Sequence, residues 1–65
     1  MQFRIQNMTC GGCARSVTRA IQSLDPAANV AADLPSRIVR VTSEQPQAEI
    51  ERALAAAGFP AVSAA

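Results

Sequence analysis

The chain has 65 residues, with six arginines and no lysine against five acids, two cysteines and no histidine, for a formal net charge of +1. That length leaves room for one domain, residues 1–65, and none for a Rossmann unit or a barrel. Near-neutral charge, only Phe3 and Phe59 as aromatics, and no apolar run near the roughly 20 residues that span a bilayer speak against a nucleic-acid binder, a base-stacking platform and a membrane protein.

Met1, Phe3 and Ile5 alternate with Gln2, Arg4 and Gln6, the period-2 pattern of a half-buried strand. This start does not read as an export signal, so the expected compartment is cytoplasmic. After a loop over residues 8–13, Cys13, Val17, Ala20, Ile21 and Leu24 recur at helical spacing, and Asp25-Pro26 stops that helix. Val30, Ala32 and Leu34 alternate with Asn29, Ala31 and Asp33 as a second strand. A turn at Leu34-Pro35-Ser36-Arg37 leads to a third strand over residues 37–42, with Val39 and Val41 facing one way.

A second helix starts near Pro46, whose missing N–H costs nothing in a first turn. Glu49 and Glu51 favour its positive end, Ile50, Ala53, Leu54 and Ala57 form its buried stripe, and Gly58 supplies the positive φ that ends it. Phe59-Pro60-Ala61-Val62 makes a short last strand at a sheet edge, and Ser63-Ala64-Ala65 is expected to fray. Of the 32 apolar residues 14 are alanine and 2 are cysteine, which predicts a thin two-layer core. The order βαββαβ is the α+β, ferredoxin-like arrangement: two helices packed on one face of a four-stranded antiparallel sheet.

The chemistry concentrates in Asn7-Met8-Thr9-Cys10-Gly11-Gly12-Cys13, between the first strand and the first helix. A cysteine at a helix start meets unpaired N–H groups and the positive dipole end, which favour thiolate. Gly11 and Gly12 are expected to let the loop turn sharply so that both sulfurs converge. Two soft thiolates with no third donor suit a soft cation of low coordination number. Cu(I) fits best, whereas Zn(II) seeks four ligands that this chain alone does not supply.

Met8-Thr9-Cys10-Gly11-Gly12-Cys13 resembles the M-x-C-x-x-C signature of heavy-metal-associated domains, of the bacterial cytosolic copper chaperone type. Val39 and Val41 of the third strand and the step Ala57-Gly58-Phe59 extend that resemblance over essentially the whole chain. It implies a copper chaperone rather than an enzyme, with Cys10 and Cys13 as the metal ligands and Met8 packed beneath the loop. The implied partner is the metal-binding domain of a copper-transporting P-type ATPase. Phe59 departs from the tyrosine, lysine or histidine frequent at that place in the family, and reads either as a core aromatic or as an apolar shield over the metal.

Other readings stay open at this point. Hg(II) accepts two thiolates as readily as Cu(I), and a Zn(II) carrier or sensor would keep the same fold. A thiol-disulfide oxidoreductase would use Cys10 as nucleophile and Cys13 as resolving thiol. Arg15 and Arg19, four apart on the first helix, read as a solvated face or as a docking patch, and the remaining arginines look scattered. The chain is expected to be a monomer without metal, with a weak metal-bridged dimer open to it.

Overall fold

The computed structural model describes residues 1–64 and runs β1 (Gln2–Arg4), α1 (Gly11–Leu24), β2 (Asn29–Asp33), β3 (Ile38–Thr42), α2 (Gln47–Ala56) and β4 (Val62–Ser63). The strands form one antiparallel sheet in the order β2-β3-β1-β4. Both helices bury their apolar stripes against the same face of it, the ferredoxin-like arrangement expected from the element order. No helix among the described residues is long and apolar enough to cross a membrane.

Alternation makes β1 and β3 central. Phe3 sits opposite Val39, and these two are buried together with Ile5 and Val41. On the other layer, α1 contributes Val17 and Ile21, and α2 contributes Ile50 and Leu54. Met8 and Ala28 complete the buried set. Burying a side chain of this size contributes about 1.5–3 kcal/mol. With so few large residues, every one of these positions matters to the fold.

The helix ends explain how the loops are aimed. The backbone N–H of Asp25 closes α1 on the Ile21 carbonyl, and its carboxylate accepts from Ala27 N–H at 3.1 Å and from the Ser43 hydroxyl at 2.6 Å. Asp25 thereby ties the end of α1 to the end of β3. At the other end of α2, Gly58 adopts φ 88°. Gly58 N–H then bonds the Ala55 carbonyl and Phe59 N–H the Leu54 carbonyl, closing the helix on its own last turn.

Several expectations shift by a residue or two. Pro46 flanks α2 as its N-cap instead of opening the first turn. Arg37 belongs to the hairpin turn, with φ 59°, so β3 begins at Ile38. Ala32 is exposed because β2 is an edge strand, and Ala57 is exposed because it caps α2 instead of lying on its buried stripe. The last strand lies at Val62–Ser63, not at residues 59–62, since Phe59 N–H is spent on the helix and Pro60 has none to give. Ser63 consequently pairs with Phe3, and Ala64 N–H reaches the Gln2 carbonyl at 2.9 Å, where fraying was expected. Ala65, included in that expectation, lies outside the described residues.

Candidate metal centre

The loop between β1 and α1 is pinned from below. Met8 is fully buried, and its N–H bonds the Ile5 carbonyl at 3.1 Å, so the chain turns up toward the surface immediately after the core. Met8 is therefore a core residue, with its thioether away from solvent. Cys10 follows in extended conformation, φ −145°, and acts as the N-cap of α1. Its sulfur accepts the Cys13 N–H at 3.3 Å, the place usually taken by a serine or aspartate oxygen.

Capping folds the two thiols onto each other. Cys10 Sγ and Cys13 Sγ lie 2.8 Å apart, sharing a hydrogen bond, with Cys10 exposed and Cys13 half-buried. The Cys13 thiol is held below the ordinary cysteine range. The hydrogen bond with the Cys10 thiol is the main cause, followed by the Thr9 backbone N–H. Partial desolvation opposes them, and the Cys10 backbone N–H and the Thr9 hydroxyl add smaller contributions. Among the described residues no group of three histidine, cysteine or acidic side chains forms. The arrangement therefore presents a pair of sulfurs at an exposed, electropositive helix start.

The glycines serve this geometry differently from the expectation. Gly11 and Gly12 have negative φ and form the first two residues of α1. A Cβ on Gly11 meets nothing within 4 Å, and one on Gly12 meets only Cys10 Sγ at 3.9 Å, an ordinary contact. The sulfur cap, not a tight glycine turn, brings the thiols together.

Two contacts were not legible in the sequence. Asn7 Nδ2 donates to the Gly58 carbonyl at 3.3 Å, linking the thiol loop to the turn after α2. Thr9, which the sequence marks only as a loop residue, contributes to lowering the Cys13 thiol. Phe59 is half-buried and packs against the core. Arg15 and Arg19 are exposed and line, with Gly12 and Ser16, a shallow depression of about 290 Å³ beside the thiols.

With this geometry in hand, the chain can be set beside known proteins. The profile of the heavy-metal-associated domain matches residues 2–60. The chain belongs to the heavy-metal-associated domain family. Among solved structures, a gold binding protein is 46% identical, with a TM-score of 0.92 and 94% of each chain covered. The copper chaperone Atx1 from Synechocystis PCC6803 is 34% identical, with a TM-score of 0.93 and coverage of 95% of this chain and 98% of that one. MerP from Ralstonia metallidurans CH34, in its oxidized form, is 25% identical, with a TM-score of 0.85 and coverage of 94% and 89%. No match was found among curated proteins.

Proposed function

We propose that this heavy-metal-associated protein is a non-enzymatic carrier, a single domain over residues 1–65, that holds Cu(I) between the thiolates of Cys10 and Cys13. It passes the ion to a C-x-x-C domain such as that of a copper-transporting P-type ATPase. The observation that carries this reading is the pair of sulfurs 2.8 Å apart at the exposed start of α1, with no third histidine, cysteine or acidic side chain grouped with them among the described residues. Thiolate softness and a two-donor set favour a monovalent d10 cation over Zn(II), which wants four ligands. Similarity to a copper chaperone supports the same choice.

Delivery follows from low coordination. An incoming thiolate of the partner adds to the two-coordinate ion, reaching it from the side of Cys10, the more exposed of the pair. A three-sulfur species bridges the two proteins. One sulfur of this chain then leaves, and a second exchange completes the transfer. Each metal–sulfur bond formed is matched by one broken, and the ion stays monovalent throughout.

A second cargo is favoured by a specific finding. Au(I) takes two thiolates linearly as Cu(I) does, and the gold binding protein shares 46% identity with this chain. Anaerobic titration with Cu(I), and separately with Au(I), against a coloured thiol-free competitor tests both readings. The expected result is about one equivalent of Cu(I) withdrawn per chain, lost in Cys10→Ser and in Cys13→Ser. A protein that competes for Au(I) but not for Cu(I) transfers the reading to gold, and one that competes for neither overturns it.

A further inference from the structure

The two outer strands of the sheet are unlike. β4 is only two residues long, whereas β2 offers five, Asn29–Asp33, all exposed except the half-buried Val30. Backbone parity fixes which groups this edge presents. Val41 spends its N–H and its carbonyl on Met1, at 2.8 and 3.0 Å, so the backbone groups of Arg40 and Thr42 turn the other way, toward β2. Their register partners Ala31 and Asn29 turn to meet them. The N–H and C=O groups of Val30 and Ala32 therefore point outward from the edge, with no partner among the described residues.

Long edges are ordinarily blunted by lysine, proline, a bulge or a covering segment. β2 carries no lysine or proline, and its pairs with β3 run in unbroken register from Asn29 to Asp33. Its sequence, Asn-Val-Ala-Ala-Asp, is complementary to itself. About a twofold axis through Ala31, Val30 of one copy faces Ala32 of the second, and each such pair exchanges both N–H···O=C bonds. The same register sets Asn29 opposite Asp33 of the second copy, in the closely spaced kind of pair, where the amide donates to the carboxylate. Asp33 takes the Ser36 hydroxyl on Oδ2 at 2.8 Å, which leaves Oδ1 for that bond. Faces agree as well: Val30 and Ala32 lie on the helix side, opposite Val41 and Val39, while Asn29, Ala31 and Asp33 lie on the open side. Moving the axis to Val30 or to Ala32 loses the match of Asn29 with Asp33.

We infer that the β2 edge is a self-association surface, on which a second copy of this chain joins the two four-stranded sheets into one. Arg4 at the thiol end of β1 pairs with Ile38, and Ile38 with Asp33, so the antiparallel arrangement sends the two thiol loops to opposite ends. Each thiol pair stays complete and open in its own chain, and the association holds whatever ion the thiols carry. A five-residue edge is a small contact beside the roughly 1,200–2,000 Å² of stable complexes. The dimer is accordingly weak, with a Kd of about 0.1–1 mM, and the protein is monomeric at micromolar concentration.

The test follows reduced, metal-free protein from about 20 µM to about 1 mM by sedimentation and by amide hydrogen exchange. Dimer should grow with concentration. The amides of Val30 and Ala32 should become protected with it, while that of Ala31, already bonded to β3, changes little. Asn29→Asp sets two carboxylates opposite each other and should weaken the dimer about tenfold. The exchanged pair Asn29→Asp, Asp33→Asn restores the match and should restore the affinity. Both positions are exposed, and circular dichroism confirms the fold of each variant. A chain still monomeric at about 1 mM overturns the inference and leaves the edge to a strand of another protein. Protection gained at the thiol loop instead of β2, an Asn29→Asp variant that dimerises like wild type, or an exchanged pair that fails to recover overturns it equally.

Discussion

Cys10 performs two tasks with one sulfur: it caps α1 by accepting the Cys13 N–H, and it hydrogen-bonds the Cys13 sulfur. That second bond is the largest reason the Cys13 thiol ionises below the ordinary range. Replacing Cys10 with alanine should therefore raise the pH midpoint for alkylation of Cys13 in the metal-free protein. Mass spectrometry of the labelled peptide reads the midpoint, and an unchanged value contradicts the assignment. The sign for stability follows by linkage. A thiol with a folded pKa lower than its unfolded pKa adds stability that is full above the ordinary thiol range and is lost as pH falls through the depressed value. Met8 acts at the same scale but from beneath. Being fully buried, it should cost about 2–5 kcal/mol when cut to alanine in denaturant unfolding. Met8→Leu should stay within about 1.5 kcal/mol and keep the metal stoichiometry of wild type. Loss of metal in Met8→Leu would show the thioether to be a ligand after all.

At the scale of elements, the two ends of the helices respond to opposite demands. Gly11 is helical with open space around its missing Cβ, so Gly11→Ala should stabilise the protein by about 0.4–1 kcal/mol, chiefly through the unfolded chain. Gly58, at φ 88°, closes α2 in a conformation that L side chains rarely adopt, and Gly58→Ala should destabilise by about 1 kcal/mol or more. Thermal melts of the two variants should move in opposite directions; a shift of the same sign in both contradicts this account. Such local features mark what a sequence reveals. The alternation around Phe3 and Ile5, the helical spacing of Val17 and Ile21, and the stop at Gly58 are all short-range signals, and each stands where it was expected. The cysteine pair was legible for the same reason, since spacing of three at a helix start is itself a geometry. What stayed hidden depends on who spends which hydrogen bond. Phe59 gives its N–H to Leu54, which pushes β4 past Pro60, and a sulfur cap draws Gly11 and Gly12 into a helix that a Gly-Gly pair does not suggest.

Across the whole molecule, the hidden features are those that the topology assembles from distant segments. Arg4 and Arg37 share no spacing, yet the pairing of Arg4 with Ile38 and the bond from Ile5 to Arg37 place them at one end. Asn7 reaches Gly58 across 51 residues in the same way. Among the described residues a thin core of ten buried side chains supports this end, so the thiols rest on Met8 and Ile5 with little packing to spare. Metal that binds only the folded form adds to stability by mass action, by about 4 kcal/mol at a thousandfold excess over Kd. The central claim is that two thiolates alone hold the cargo, on a monomer, with an open side for exchange. X-ray absorption at the copper edge, on protein loaded with one equivalent of Cu(I) and checked as monomeric by sedimentation, tests it most directly. The account predicts a two-coordinate, sulfur-only first shell. A third sulfur from Met8, or a nitrogen or oxygen donor in the monomer, would contradict it.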